Sequence, residues 1–367
     1  MSVVPHGPMG ARAAGCHPPT EREERLHAVR PGGDVVLRSL HVVSCNLTPP
    51  RLKLPPGRHR HRKVPNMRTL PQLQATQPFL TDGGLETTLV FLEGIDLVDF
   101  AAFPLLDTEE GRGVLRRYFA PYLDLGARTG AGIVLDTPTW RANLDWGARL
   151  GYDPVRLGAV NRRAVEFMAA LAGEQPAVTA VVNGVVGPRG DGYVVGATMT
   201  AAEAASYHGL QARSFADAGA HMISAITMTY PDEAIGVARA AAAVNLPSVI
   251  SFTVETDGRL PCGLPIGDAI DQVDQATAGA PAYYMVNCAH PTHFLGQLGA
   301  AEESATRIKG IRANASRLSH AELDDATELD RGDVAELARL YTQLREHIDL
   351  RVVGGCCGTD HEHITAI

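Results

Sequence analysis

The sequence predicts an α/β protein: a (β/α)8 TIM barrel preceded by a disordered N-terminal tail. Three observations lead to this fold class. Eight short apolar segments alternate with longer segments of helical period after residue 78. The alternating part spans about 290 residues, the usual length of such a barrel. A doubly wound sheet would need fewer strands, and no Gly-x-Gly-x-x-Gly turn follows the first one.

The first 75 residues have a different composition from the rest. They carry 12 basic and 4 acidic residues, and they hold 11 of the 24 prolines and 6 of the 14 histidines. Such a segment buries little apolar surface against its ordering cost, so we predict disorder over 1–75 and the barrel over 76–367. The His- and Arg-rich stretch 55–63 leaves open a solvated tail with no role, a nucleic-acid-binding or metal-binding tail, a weak transit peptide, or translation starting at Met67.

The predicted strands are short runs rich in Val, Ile and other apolar residues. They cover 79–81, 132–136, 178–183, 221–226, 248–253, 282–287, 307–312 and 351–354.

The predicted helices lie between these strands and repeat their apolar residues at helical spacing. They cover 108–127, 145–172, 200–218, 231–244, 266–278, 291–300 and 332–347. Glu109 and Glu110 suit the positive end of the first helix dipole. Thr200 and Glu203 form a capping-box pattern at the start of the third.

Charge, hydropathy and cysteine content exclude several classes of protein. The net charge of −8 argues against a general nucleic-acid binder, and no run approaches the roughly 18 apolar residues of a membrane span. Six cysteines in 367 residues are too sparse for a disulfide-built secreted scaffold, and no secretory signal is recognisable. We therefore expect a cytoplasmic protein whose clustered thiols serve metal binding or catalysis.

A barrel places chemistry just after its strands, at the C-terminal rim. Polar, glycine and thiol residues cluster at these positions. They include Asp82, Gly83, Gly84 and Glu86 after strand one, Thr137 and Trp140 after strand two, Glu255 after strand five, Asn287 and Cys288 after strand six, and Cys356 and Cys357 after strand eight.

The thiols are the most informative of these residues. Strands six and eight are separated by one strand, so Cys288, Cys356 and Cys357 can reach a common point if the chain turns between the last two. Three thiolates suit zinc and leave it one open position, as in a catalytic site. The alternatives are buried cysteines without a role, a vicinal disulfide, or ligation by His290 or His293.

With these motifs, the chain resembles the homocysteine S-methyltransferase family. The resemblance covers about residues 78–367. It is carried by Asp82-Gly83-Gly84, by Val286-Asn287-Cys288 and by Gly354-Gly355-Cys356-Cys357-Gly358-Thr359. It implies a barrel fold, zinc ligation by Cys288, Cys356 and Cys357, and an amino-acid-binding loop at Asp82, Gly83 and Gly84.

The resemblance also implies the reaction. Zinc would keep a thiol acceptor as its thiolate, which attacks a methyl group on a sulfonium, an ammonium or a methylated cofactor. The expected partners are therefore a small thiol acceptor and a small methyl donor such as S-methylmethionine or betaine, with no nucleic acid and no membrane. Because no cobalamin module follows, a folate or cobalamin donor would need a partner protein. Trp140 is the candidate contact for a cationic donor, with a core role as its alternative.

The sequence departs from the family after the fourth strand. Members usually carry a Glu-Thr pair there, whose carboxylate contacts the amino group of the substrate, whereas this chain reads Ala225-Ile226-Thr227-Met228-Thr229. Glu255 or Glu86 are the candidates to replace that carboxylate. The departure keeps three further hypotheses open: another thiol acceptor, a non-catalytic zinc-binding or thiol-binding barrel, and a zinc-assisted hydrolase or lyase. The sequence leaves the donor and the oligomeric state undecided.

Overall fold

Eight parallel strands close into a barrel in the order in which they occur along the chain. The structure is a computed structural model that describes residues 70–298 and 303–367. The strands are β1 Phe79–Leu80, β2 Ile133–Asp136, β3 Ala180–Val186, β4 Met222–Met228, β5 Ser248–Phe252, β6 Tyr283–Asn287, β7 Ile308–Ala313 and β8 Val352–Gly355. The barrel closes where Phe79 and Leu80 of β1 pair with Val352 and Val353 of β8. The predicted fold class is confirmed.

Helices surround the barrel and connect successive strands. They are α1 Pro71–Gln74, α2 Leu85–Thr87, α3 Glu109–Thr129, α4 Leu144–Arg149, α5 Pro154–Glu174, α6 Ala201–Ala218, α7 Pro231–Ala243, α8 Ile266–Thr277, α9 Leu295–Leu298, α10 His320–Asp324, α11 Val334–His347 and α12 His361–Ala366. None of the helices in the described parts of the chain combines the length and apolarity that a membrane crossing requires.

The predicted signals at the starts of two helices are present. Thr108 accepts a hydrogen bond from the backbone of Gly111 at the start of α3, whose first turn holds Glu109 and Glu110. Thr200 and Glu203 form both hydrogen bonds of a capping box at the start of α6.

Two predicted helices differ from the structure. The helix expected over 145–172 is split into α4 and α5, because Gly151 has a positive φ of 77° and Asp153 caps a new helix that opens with Pro154. The helix expected over 291–300 is reduced to a 3-10 turn, Pro291–His293, followed by the single turn α9. Phe294 breaks the helical geometry between them with a φ of −129°.

The described part of the chain begins before the predicted start of the barrel at residue 76. Leu70 and Gln72 are buried, and Gln72 donates to Met222 Sδ at 3.2 Å and to the Tyr283 hydroxyl at 3.3 Å. Residues 70–75 therefore pack against the N-terminal end of the barrel. The remainder of the predicted tail lies outside the described residues.

Two apolar layers stabilise the barrel. The larger one fills the space between the strands and the helices and includes Phe119, Phe215 and Tyr341. The smaller one fills the N-terminal end of the barrel interior, where Phe79, Met222 and Tyr283 pack with Leu70. Because apolar side chains close that end, the space for a ligand lies at the opposite, C-terminal rim.

Candidate active site

Three cysteine sulfurs converge at the C-terminal rim of the barrel. Cys288 follows β6, Cys356 and Cys357 follow β8, and all three sulfurs lie within 4.8 Å of one another. The sulfurs of Cys288 and Cys357 are 3.6 Å apart. Zinc–thiolate bonds of about 2.3 Å in a tetrahedron would separate sulfurs by about 3.8 Å. The spacing therefore fits a metal of this kind.

The chain turns after β8 so that both neighbouring cysteines face the same point. Gly358 has a positive φ of 79°, and the carbonyl of Cys356 accepts from the backbone amide and the hydroxyl of Thr359. The carbonyl of Cys357 accepts from the amide of Ala315 on the β7 side. These bonds fix the turn that the glycine-rich sequence predicted.

Cys288 has a strained backbone conformation, and His320 contacts its carbonyl. Its φ is +55°, which costs energy for a residue other than glycine. His320 Nε2 lies 2.8 Å from the carbonyl of Cys288, and its Nδ1 lies 3.1 Å from Glu255 Oε1. Thr253 contacts the same carbonyl and the same imidazole nitrogen. The pair of Glu255 and His320 therefore positions the Cys288 thiol.

The three thiols of the cluster differ in their pKa. Hydrogen bonds from Cys288 and Cys357, together with the charge of Arg312, hold the pKa of Cys356 well below its usual range. The same sharing raises the pKa of Cys288 and of Cys357, since each donates to a neighbouring sulfur. The low pKa of Cys356 favours a thiolate in the cluster, which suits a soft cation.

A buried arginine connects the cysteine strands to the first loop. Arg312 of β7 donates to Asp82 Oδ1 at 2.6 Å, to Asp136 Oδ2, and to the carbonyls of Gly83 and Gly355. Asp82 also accepts from the Tyr118 hydroxyl. Burial raises the pKa of Asp82 to about 6 despite the opposing charge of Arg312. The carboxylate of Asp82 thus accepts from Arg312 and Tyr118, contacts that position the first loop, and its predicted contact with substrate stays a prediction.

Gly83 and Gly84 allow the first loop to lie directly against the cysteine turn. A Cβ on Gly83 would come within 2.6 Å of the carbonyl oxygen of Thr359, and one on Gly84 within 2.6 Å of that of Cys356. The amide of Gly84 donates to the Thr359 carbonyl. These glycines therefore serve the contact between two loops of the site.

The end of β4 contains no carboxylate. Thr227, in the run where the family carries its Glu-Thr pair, has a φ of +65°. Its amide donates to Asn287 Oδ1 at 2.9 Å, and its hydroxyl accepts from Asn287 Nδ2 at 2.8 Å. Asn287 Oδ1 also accepts from Ser251. Asn287 thereby connects β4, β5 and β6, and its predicted contact with substrate stays a prediction.

Two further predicted residues have roles within the loops. Thr137 accepts from the amide of Val185 and shares a 2.7 Å hydrogen bond with Thr139, so it ties the end of β2 to β3. Trp140 donates to the carbonyl of Ile226 at 3.3 Å, and the guanidinium carbon of Arg141 lies 4.5 Å from its ring centre. Trp140 is half-buried at the mouth, with one face covered by that cation.

The two candidate replacement carboxylates differ in their surroundings. Glu255 is engaged with His320. Glu86 is half-buried and makes no ion pair with any cation in the described ranges. Burial raises the pKa of Glu86 to about 7, and the charges of Asp82 and Cys356 add to this increase. The structure therefore favours Glu86 over Glu255 as a group free to contact a ligand.

The two candidate histidine ligands lie apart from the sulfurs. Nδ1 of His290 contacts the Thr292 hydroxyl, and burial lowers the pKa of His290 to about 4. Nε2 of His293 lies 3.0 Å from the carbonyl of Arg317. The metal-ligand group found among the described residues contains the cysteines alone.

Sequence reasoning missed Tyr193, Arg312 and His320. The hydroxyl of Tyr193 lies 3.2 Å from the Cys288 sulfur and 3.7 Å from that of Cys357, and its ring stacks on His320 at 4.2 Å. Burial beside these thiols raises the pKa of Tyr193, so it is a neutral phenol. Arg312 had a signal in the sequence, a cation inside a barrel strand. Tyr193 had none, because it lies in the glycine-rich loop between β3 and α6.

Comparison with known families gives a match over most of the chain. A family model described as homocysteine S-methyltransferase matches residues 79–367. No curated protein sequence matches the chain at a significant level.

Solved structures of one bacterial enzyme are similar in fold. They are three forms of the homocysteine methyltransferase MmuM from Escherichia coli. The oxidized form has a TM-score of 0.64 at 23% identity, covering 80% of this chain and 96% of that one. The metallated form has a TM-score of 0.63 at 22% identity, covering 81% of this chain and 98% of that one. The apo form has a TM-score of 0.58 at 22% identity, covering 80% of this chain and 96% of that one. At these identities the likeness shows a shared fold.

Proposed function

Because this chain belongs to the homocysteine S-methyltransferase family, we propose that it moves a methyl group from a small onium donor to the thiolate of homocysteine, giving methionine. We further propose that zinc is its cofactor, held by Cys288, Cys356 and Cys357. One observation carries this proposal: three sulfurs from two strand ends converge within 4.8 Å at the open rim of the barrel.

The residues present fit the cofactor and leave room for an acceptor. Three cysteinates supply soft ligands at tetrahedral spacing and leave a fourth position for an incoming sulfur. When bound, zinc would supply deprotonation of the acceptor thiol near neutral pH. The hydroxyl of Tyr193 lies against two of the sulfurs, and we propose that an acceptor sulfur displaces it.

The methyl transfer itself needs alignment and no proton at the reacting atoms. The acceptor sulfur forms a bond to the methyl carbon while the bond from that carbon to the donor sulfonium or ammonium breaks. The electron pair of the broken bond stays on the donor, which leaves as a neutral sulfide or amine. The contribution of the protein is therefore to hold two substrates in line and to exclude water.

Several groups of this chain supply that alignment. Arg312 fixes the first loop relative to the cysteine turn through Asp82 and the Gly83 carbonyl. The Glu255–His320 pair fixes the Cys288 backbone. Arg141 covers one face of Trp140 and His320 one face of Tyr193, so a cationic donor such as S-methylmethionine or betaine would meet their other faces.

The test measures product directly. The zinc-loaded full chain is incubated with homocysteine and either S-methylmethionine or betaine, and methionine is quantified by mass spectrometry. Cys357→Ala serves as the ligand-deficient variant, and metal content is determined for both proteins. We expect methionine from the wild type with one donor class and a loss of at least about 100-fold in the variant, because a protein ligand of the metal is missing.

The negative outcomes separate the alternatives. Methionine formation that survives removal of zinc would overturn the metal assignment. Stoichiometric zinc without any methyl transfer to homocysteine would overturn the proposed reaction. It would favour a different thiol acceptor or the non-catalytic thiol-binding barrel, for which the hydroxyl of Tyr193 over the sulfurs is the supporting contact.

A further inference from the structure

Two half-buried side chains of opposite charge lie at the mouth without an ion-pair partner in the described parts of the chain, although the Glu86 carboxylate accepts from its own backbone amide. Glu86 follows β1 and Arg141 follows β2. Within residues 70–298 and 303–367 neither forms an ion pair, and Arg141 Nε is buried without a hydrogen-bond partner. The guanidinium of Arg141 is held between two indoles, 3.7 Å from the ring centre of Trp146 and 4.5 Å from that of Trp140. Desolvated charges normally find a protein partner, so these two point to a ligand.

The neighbouring carboxylates of the site are all engaged. Asp82 and Asp136 both accept from Arg312, and Asp136 also accepts from Asn183. Glu255 lies against His320. Among the acidic side chains that follow the strands and face the cysteine cluster, Glu86 therefore remains available to a cation.

Glu86 and Arg141 lie on adjacent loops and are farther apart than an ion pair. Burial lowers the pKa of Arg141 to about 10, and the charges of Asp191 and of Glu86, in that order, oppose this effect. Glu86 lies two residues after Gly84, on which a Cβ would come within 2.6 Å of the Cys356 carbonyl, and Thr87 accepts from the amide of Gly358. The arrangement is an anion near the sulfur cluster, followed by a cation on the adjacent loop.

We propose that Glu86 and Arg141 form a subsite for a zwitterionic amino-acid thiol, in which Glu86 receives the ammonium group and Arg141 receives the carboxylate. This inference rests on the proposed function, since it places the sulfur of the same molecule at the cysteine cluster. Homocysteine carries both charges on the carbon three bonds from its sulfur. A guanidinium offers a carboxylate two parallel hydrogen bonds, and its indole stacking fixes its plane in advance.

The acceptor is the better occupant than the donor because of the position of Glu86. Glu86 lies on the loop whose Gly84 and Thr87 contact the cysteine turn, whereas Arg141 lies on the next loop, against Trp140 and Trp146. A molecule with its sulfur at the cysteines reaches Glu86 with its ammonium group first. A zwitterionic donor such as betaine has the same two charges, so the experiment must separate the two sources.

The test uses binding to the zinc-loaded full chain, measured by isothermal titration calorimetry. Three thiols are compared: homocysteine, 4-mercaptobutanoate, which lacks the ammonium, and 3-mercaptopropylamine, which lacks the carboxylate. The variants are Glu86→Gln and Arg141→Gln. Glu166→Gln, an exposed glutamate on the outer helix α5, is the matched control. Zinc content and Tm are recorded for each protein.

The expected result is a crossed pattern. Glu86→Gln lowers the affinity for homocysteine and for 3-mercaptopropylamine by about 10- to 100-fold, and it changes the affinity for 4-mercaptobutanoate by no more than about twofold. Arg141→Gln lowers the affinity for homocysteine and for 4-mercaptobutanoate by a similar factor and leaves the affinity for 3-mercaptopropylamine unchanged. Glu166→Gln changes none of the three affinities.

Two outcomes would overturn the subsite. Equal weakening of all three thiols by both variants would assign the residues a structural role. Unchanged thiol affinities with a raised KM for betaine or S-methylmethionine would assign the charges to the donor. Both outcomes are read from binding or from KM for the donor. Failure of the proposed function is a separate result, because it would be seen as zinc-bound protein that makes no methionine.

Discussion

At the scale of single residues, Arg312 has the largest structural role in the site. It lies inside the barrel between two carboxylates, and its other donors hold the carbonyls of Gly83 and Gly355. One side chain thereby connects the loops after β1 and β8 and the end of β2. Burying three charges is costly, and the cost is offset only while all of them are paired. Removal of the arginine leaves two buried carboxylates without a cation.

The first prediction concerns this network. Arg312→Met should lower the free energy of unfolding by about 3–5 kcal/mol, because Asp82 and Asp136 would remain buried without a cation. The triple variant Asp82→Asn, Asp136→Asn, Arg312→Met removes all three charges and should recover much of that loss. Urea unfolding at pH 7 measures both. A single variant within about 1 kcal/mol of wild type would contradict the argument.

The second prediction concerns the pH dependence caused by Glu86. Burial raises its pKa from 4.5 to about 7, so the folded state retains a proton that the unfolded state releases. The stability of the wild type should therefore fall relative to Glu86→Gln as the pH rises from about 4.5 to about 7. The gap should reach at most about 3 kcal/mol above about pH 8. Unfolding of reduced, metal-free protein across this pH range measures it, and a gap that stays constant with pH would rule out burial of the Glu86 carboxyl as the cause.

At the scale of elements, strand ends were predictable and loop conformations were not. Parallel strands in a barrel place their C-terminal ends at one rim, so the cysteines after β6 and β8 could be brought together from sequence order alone. Tyr193 reaches Cys288 from a loop 95 positions away, and no local pattern specifies that approach. Glu86 and Glu255 were equivalent in sequence because only tertiary contacts separate a paired carboxylate from an unpaired one.

The third prediction follows from the loop between β3 and α6. Tyr193→Phe keeps the ring that stacks on His320 but removes the hydroxyl beside the two sulfurs. An incoming thiol then displaces no hydrogen-bonded group, so homocysteine should bind up to about tenfold more tightly. Calorimetry on zinc-loaded protein measures the change. Tyr193→Ala, which also loses the stack, is the comparison, and weaker binding by the Phe variant would show that the hydroxyl assists the acceptor.

At the scale of the whole molecule, alternating segments identified the barrel, but its closed N-terminal end was missed. The composition of residues 1–75 predicted disorder throughout, yet residues 70–75 pack against the barrel interior. Leu70 belongs to the apolar layer of that end, and Arg351 donates to the carbonyl of Ala75 at 2.8 Å. The short helix α1 therefore covers the end of the barrel opposite to the cysteines, and its removal tests stability separately from the site.

The fourth prediction compares two truncations across this helix. A chain starting at Met67 keeps Leu70 and Gln72, whereas a chain starting at Gln77 exposes the interior layer around Met222 and Tyr283. The first should unfold at the temperature of the full chain. The second should lose roughly 3 kcal/mol or more of its free energy of unfolding, because it lacks the burial of Leu70 and the hydrogen bonds of Gln72.

Because the cysteines lie at the other rim, zinc content should be equal in both chains at a temperature where both are folded. Thermal unfolding with metal analysis measures the two effects. Equal stability of the two truncations would show that residues 70–76 contribute nothing to the barrel, and loss of zinc in the shorter chain alone would show that the two ends are energetically coupled.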